Sequence, residues 1–317
     1  MTPERICDVT GHDRTGARAL TRDHAEYPAH LQGLPEAPDT LHVRGALAER
    51  DALAIAVVGS RRATPYGLEV AETLAADLAA RGATIVSGLA RGIDTAAHRG
   101  ALRVGGRTLA VLGCGIDVVY PPENARLAEE IAARGALLSQ FAPGTPPLPH
   151  HFPTRNAVIA GLSLAVVVVE AAERSGSLIT ARLAAELGRE VLAVPGRVTA
   201  AESRGANRLI QDGAALALGW EDVAAVLPER WKACLDTRER VEPPAPAYDS
   251  REDGGRPASA ASRRVLALLG EDPLEIDHVI ERSGLAAGPV SAALLDLELT
   301  GRVRQIEGKR FVRVGRG

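Results

Sequence analysis

The chain has 317 residues, of which 46% are hydrophobic and only 3% aromatic, with a formal charge of −3. That length allows one large domain plus a small one, or two medium domains, around a core built from Ala, Val and Leu. A charge this small excludes a uniformly basic nucleic-acid binder but not local basic clusters, and of 37 basic residues only Lys232 and Lys309 are lysines.

Residues 1–50 read as an irregular lead-in, because Pro28, Pro35 and Pro38 break any long helix. From Ala52 a rhythm begins: "ALAIAVVG" is a continuous apolar run, as expected of a strand buried on both faces, and a helix over 66–81 follows. Next come "ATIVSG" with a helix near 94–104, "RTLAVLG" with a helix over 123–134, and "GALLSQF" with a helix near 154–162. "LAVVVVEA", a helix over 177–188 and "REVLAVPG" complete the run. Six strands alternating with helices predict an α/β fold with a doubly wound, mostly parallel sheet over 51–230.

The stretch "TRERVEPPAPAYDSREDGGRPASAAS" is rich in Pro, Gly and charge, which marks 231–260 as a linker. Over 261–317, helices at 263–269, 276–282 and 290–299 precede "GRVRQIEGKRFVRV", a hairpin around Glu307-Gly308. Three helices and a hairpin predict a small C-terminal winged-helix domain, a unit that serves protein contacts as often as DNA contacts. Residues 300–317 hold six basic residues (Arg302, Arg304, Lys309, Arg310, Arg313, Arg316) against Glu307. Such a hairpin either touches duplex phosphate as an auxiliary contact or is a solvated wing.

Cys7, Cys114 and Cys234 are odd in number, far apart and without CxxC spacing. They predict neither a disulfide framework nor a zinc site, which fits a reducing cytoplasm. The N-terminus lacks the apolar run of a signal peptide, and the most apolar stretch, 157–169, is too short to span a bilayer. A soluble, cytoplasmic protein is expected.

In an open parallel sheet, ligands lie beyond the carboxyl ends of the strands. Gly59, Ser60, Arg61 and Arg62 follow the first strand there; "SGLARGID", with Gly88, Arg91 and Gly92, follows the second. Gly88 and Gly92 are expected to supply a tight turn with positive φ, and Asp94 to cap the next helix. "FPTRN" brings Arg155 and Asn156 after the fourth strand, and Ser175, Gly176 and Ser177 open a helix after the fifth, an arrangement suited to anions. Each loop alone is ordinary turn chemistry; together they form a phosphate-binding rim whose cations are planar, bidentate guanidinium groups.

Enzyme signatures are missing. No GxGxxG follows the first strand, "GCGIDV" lacks the third glycine, and no GxxxxGK[ST] loop is present. Asp94, Asp117, Glu170 and Glu173 show no paired spacing, His98 reads as a packing or surface group, and His150 and His151 are neighbours that point apart rather than metal ligands. No catalytic residue, metal or other cofactor is therefore expected. Scarce aromatics leave Phe152 and Tyr66 as the only nearby base-stacking candidates.

"VVGSRRATPYG", "SGLARGIDTAAH", "VLGCGIDVVYPPEN", "FPTRNAVIAGLS", "SGSLITARLAAELGREVLAVPG" and "SRGANRLIQDGA", in this order, closely resemble the DNA-processing protein A (DprA/Smf) family over 27–227. The C-terminal unit resembles the winged helix often attached to that family. A sterile-alpha-motif-like domain often precedes the sheet in relatives; with only about 25 residues ahead of Tyr27, it is expected to be absent here. The resemblance implies a homodimer that binds single-stranded DNA at the Rossmann edge, through Arg61 and Arg155, protects it during natural transformation and delivers it to the RecA recombinase. Two other classes stay open: a nucleotide-monophosphate phosphoribohydrolase, although "SGSLITARLAAE" does not match the PGGxGTxxE signature expected of one, and a non-catalytic interaction adaptor.

Overall fold

The computed structural model describes residues 16–34, 37–236, 260–270, 274–299, 302–306 and 310–313. The chain divides into two compact units, Met1–Pro246 and Ala247–Gly317. Most of the expected linker, 237–259, and the hairpin turn at Glu307-Gly308 lie outside the described residues.

The first unit is built on a nine-stranded sheet. Its parallel heart is β3 (Ala54–Val58), β4 (Thr84–Ser87), β5 (Arg107–Val111), β6 (Ala136–Ser139), β7 (Ala165–Val168) and β8 (Glu190–Ala193). These are the six expected strands. Spatial order along them is β6-β5-β4-β3-β7-β8, all parallel. Successive strands step one way from β3 to β6 and the other way from β7, so the order reverses between β3 and β7, and a crevice opens there at the carboxyl edge.

β3 shows why this sheet forms. Ile55 and Val57 face one core with Leu74, Leu78, Ile93 and Ala97 from α2 (Pro65–Ala80) and α3 (Ile93–Arg103). Ala54, Ala56 and Val58 face the other, with Val158, Ile159, Ala181 and Ala184 from α5 (His151–Leu162) and α6 (Gly176–Glu186). Both faces are covered, so the strand reads as an unbroken apolar run; each fully buried Ile or Val contributes about 1.5–3 kcal/mol. The core is assembled with very few aromatic rings, as the composition requires. α4 (Ala125–Arg134) covers β5 and β6 through Leu127, Ala128 and Ile131.

The lead-in is more ordered than expected. β1 (Ala17–Thr21) and β2 (Thr40–Gly45) extend the sheet, β2 antiparallel to β6 and β1 antiparallel to β2, around the single turn of α1 (Ala29–Gln32). The reason is visible in alternation: Leu41 and Val43 point into the core while Thr40, His42 and Arg44 do not. The prolines punctuate only the connection between the two strands. Beyond β8 the chain adds α7 (Arg204–Gln211), β9 (Ala215–Leu216, parallel to β8), α8 (Trp220–Val226) and α9 (Glu229–Asp236). α9 thus reaches into the segment expected to be linker.

The second unit holds α10 (Ala260–Leu268), α11 (Ile276–Ser283) and α12 (Ala287–Leu299) around Val265, Val279, Val290, Leu294, Val303 and Phe311. The hairpin strands β11 (Val303–Ile306) and β12 (Arg310–Arg313) pair antiparallel, and the short β10 (Leu274–Glu275) adds a third strand. Gly284 ends α11 in the left-handed conformation that a helix C-terminus favours. This is a winged helix, as expected. No described helix is long and apolar enough to cross a membrane.

Candidate functional site

A cleft of about 500 Å³ opens at the β3/β7 reversal. It is walled by the loop after β3, the loop before α6 and the first turns of α5. Of the expected site residues, Gly59, Ser60, Arg61, Arg62, Arg155, Asn156, Ser175, Gly176 and Ser177 line it. Gly88 and Arg91 line a small adjoining recess with Tyr120 and Phe152, whereas Gly92 lines neither and packs against the Ser60 carbonyl.

The loop after β3 is pinned at its backbone and leaves two side chains exposed. Ser60 N donates to the Glu170 carbonyl at 2.7 Å, and the Ser60 carbonyl accepts from Ile93 N at 3.2 Å. Ser60 Oγ accepts from Arg62 N at 3.0 Å. Arg61 and Arg62 therefore project outward from a fixed turn, both exposed. Arg61 lies over the Phe152 ring, 4.7 Å from its centroid. Behind the loop each oxygen of the Glu170 carboxylate accepts a hydrogen bond: Thr64 N and Thr64 Oγ1 donate at 2.9 and 2.6 Å, fixing the start of α2.

The turn after β4 is rigid. The Asp94 carboxylate, 6% exposed, accepts from Gly88 N at 3.1 Å and Ala90 N at 3.3 Å. Arg155 Nη1 donates to the Gly88 carbonyl at 2.6 Å, Asn124 Nδ2 to the Leu89 carbonyl at 2.9 Å, and Thr95 Oγ1 to the Ala90 carbonyl at 2.6 Å. Two expectations are corrected here. Asp94 does not cap α3; Gly92 occupies the N-cap and Asp94 clamps the preceding turn instead. The left-handed residues are Gly92 (φ 73°) and Leu89 (φ 59°), not Gly88. Gly88 is required for another reason: a Cβ there would stand 2.5 Å from the Arg155 guanidinium.

Arg155 is placed differently from a rim cation. It is 3% exposed, and Nη1 also donates to the Val111 carbonyl while Nε donates to Asn156 Oδ1 at 3.1 Å. Its guanidinium lies 5.8 Å from the centroid of the Phe152 ring that Arg61 covers. Burial above all pulls the Arg155 pKa down to about 10, with Asp94 opposing and Arg61 assisting the fall. It remains a cation at neutral pH, held beneath the cleft and stitching β4, β5 and α5 together. Burial raises the Asp94 carboxyl, an effect that Arg155 and the hydrogen bonds from Ala90, Gly88 and Ser87 partly offset. His98 is fully buried, donates or accepts through Nδ1 with Thr108 Oγ1 at 2.7 Å, and is pushed by burial to a pKa of about 3, so it is neutral.

At the start of α6, the Ser175 side chain accepts from Ser177 N, and the two hydroxyls lie 2.7 Å apart. The first turn of this helix thus presents hydroxyl and amide groups to the cleft at its positive dipole end. Two lining residues were not among the expected contacts. Arg174 is exposed in the wall, beside the loop already singled out. Tyr120, with its ring 5.9 Å from Phe152, is the second aromatic of the site. Tyr66 is not: it lines a separate hollow and its hydroxyl donates to the Pro195 carbonyl. His151 stacks on Phe141 at 4.2 Å and meets His150 edge-on at 4.5 Å. Among the described residues none of Arg61, Arg62 and Arg174 is paired with a carboxylate, whereas Arg91 is paired with Glu123.

A doubly wound sheet with an arginine-rimmed crevice at its switch point, joined to a winged helix, defines a Rossmann-type protein. The family models settle which one. Residues 18–228 match DNA recombination-mediator protein A, and residues 242–309 match the DprA winged helix domain. The chain belongs to the DprA/Smf family. It is 40% identical over 298 residues to Protein Smf of Escherichia coli, covering 94% of this chain and 77% of that one. It is 46% identical over 199 residues to the DNA processing protein DprA of Streptococcus pneumoniae, covering 63% and 70% respectively. The X-ray structure of the pneumococcal DprA superposes with a TM-score of 0.64 at 42% identity, covering 69% of this chain and 76% of that chain. DNA processing protein A of Helicobacter pylori, whose structure describes a single-stranded DNA binding mode, superposes with a TM-score of 0.62 at 30% identity, covering 71% and 99%.

Proposed function

We propose that the cleft holds the sugar–phosphate backbone of single-stranded DNA without sequence preference. In this reading the protein is a cytoplasmic, non-catalytic homodimer that shields incoming strands during natural transformation and hands them to the RecA recombinase. The observation that carries the reading is the rim itself: Arg61, Arg62 and Arg174 are exposed, convergent and uncompensated by any carboxylate among the described residues, above a buried Arg155. Cations so placed attract a polyanion, and displacing its counterions drives binding.

Roles divide by burial. Arg61, Arg62, Arg174 and the Ser175–Gly176–Ser177 turn meet phosphate; Gly59 and Ser60 fix the direction of Arg61; Arg155, Asn156, Gly88 and Gly92 hold the frame. Phe152 has Arg61 over its ring at 4.7 Å, so it orients that guanidinium rather than offering an open face to a base. Turnover is not expected, because the carboxylates beside the cleft are committed to structure, Asp94 to two amides and Glu170 to Thr64. In the second unit, α12 reads AGPVSAALLDLEL and carries no Arg, Lys, Asn or Gln to read a major groove. The wing, where Arg302, Arg310 and Arg313 are exposed, offers cations for contact with duplex phosphate.

The test combines three assays on the full chain: anisotropy with single- and double-stranded oligonucleotides, protection of a labelled single strand from exonuclease, and RecA filament growth with and without the protein. Preference for single strands, protection and faster filament growth are expected. Hydrolysis of a nucleoside monophosphate, or no binding to either nucleic acid, would replace this reading with the enzyme or the adaptor.

A further inference from the structure

We propose that Glu123 is a built-in competitor of the nucleic-acid phosphate: it holds Arg91 in a neutral pair at the mouth of the crevice and withholds that arginine from the strand until a phosphate displaces the carboxylate. This rests on the single-strand reading above.

Arg91 lines the recess that adjoins the main cleft, together with Arg61, Tyr120 and Phe152. Unlike the other rim arginines it has a partner, the Glu123 carboxylate, which its Nε touches. Both side chains are about half exposed, so a phosphate has access to the same guanidinium. The pairing is not a chance meeting of two mobile chains, because both backbones are fixed. Ala90, next to Arg91, has its carbonyl bonded by Thr95 Oγ1 and its amide by Asp94. Asn124, next to Glu123, is buried and donates to the Leu89 carbonyl and to Thr95 Oγ1, both at 2.9 Å. The two loops are thereby tied to each other, and the tie sets Glu123 opposite Arg91. Their mutual hydrogen bond lowers the Glu123 carboxyl and raises the Arg91 guanidinium, so both stay ionised at neutral pH.

The consequence is electrostatic. A guanidinium with its own counterion neutralises no phosphate, and the carboxylate repels a strand lying over Arg61. A phosphate that takes Arg91 must break an exposed ion pair, a modest cost that loosens binding and speeds release. The pair is a brake on affinity at one end of the groove.

The experiment is fluorescence anisotropy of the full-length protein with a labelled single-stranded oligothymidylate across a salt series. Wild type is compared with Glu123→Gln, Arg91→Ala/Glu123→Gln and Glu130→Gln, the last removing a carboxylate outside the cleft and its recess that is likewise paired with an arginine, Arg126. Glu123→Gln is expected to bind roughly two- to fivefold tighter. Its log–log salt slope is expected to steepen by up to about 0.7, one added phosphate contact. Adding Arg91→Ala should abolish the gain, and Glu130→Gln should not reproduce it. Equal or weaker binding by a Glu123→Gln protein of unchanged melting temperature overturns the proposal, as does an equal gain from Glu130→Gln. Wild type that binds no single strand at any salt overturns the single-strand reading, and the brake with it.

Discussion

Replacing Arg155 by Ala separates a cation that meets the ligand from one that builds the site. The side chain is 3% exposed and donates to the buried carbonyls of Gly88 and Val111. Each carbonyl left without a partner costs about 1–3 kcal/mol. The Asp94 carboxyl loses the guanidinium that offsets its burial, and breaking such a buried charge arrangement costs about 3–5 kcal/mol in all. For a unit of this size that is a fall in Tm of roughly 6–20 °C. The pH dependence has a definite sign. Asp94 titrates above its ordinary value in the folded chain, chiefly through burial. A raised acid contributes stability at low pH and loses it as pH climbs through the raised value. Without Arg155 the value rises further, so the deficit of the variant is largest at neutral pH and shrinks on acidification. Differential scanning calorimetry of both proteins in mild acid and at neutral pH checks this. An Arg155→Ala protein that melts like wild type, yet binds single strands weakly with a flattened salt slope, refutes the reasoning and makes Arg155 a direct contact.

Three other perturbations are informative. Arg61→Ala should weaken single-strand binding roughly ten- to a hundredfold, the loss of one charge-assisted contact, and leave Tm unchanged in a thermal melt. Gly88→Ala places a Cβ 2.5 Å from the Arg155 guanidinium and should destabilise by about 1–3 kcal/mol, read as a lower denaturation midpoint. Truncation after Asp249 removes the winged helix, whose α12 carries no Arg, Lys, Asn or Gln, and should keep most single-strand affinity in anisotropy.

How much of this was legible in the sequence depends on how each residue is buried. β3 to β7 announce themselves because both faces are covered and most positions are apolar, and β8 follows the same rhythm with one end exposed. β1, at the sheet edge, and β2, between β1 and β6, give only a half-buried alternation as signal, and the prolines between them masked it. The rim loops were legible as a group because a parallel sheet brings all its carboxyl ends to one edge. Arg155 was not, since nothing in "FPTRN" says that its guanidinium turns inward to two carbonyls rather than outward. Asp94 looked like a cap, and only the path through left-handed Leu89 and Gly92 brings the amides of Gly88 and Ala90 to its carboxylate. Arg174 stood one residue from a loop already chosen; its exposure in the cleft wall depends on how that loop meets α5.

The most direct test of the central claim is a salt titration of binding to a single-stranded oligothymidylate by wild type and Arg61→Ala. Log affinity of wild type should fall linearly with log salt, by about 0.7 per phosphate contacted, and the Arg61→Ala line should lie below it with a slope shallower by a fraction of one unit. Binding that ignores salt, or an Arg61→Ala line that coincides with wild type, would contradict a backbone-tracking groove at this cleft.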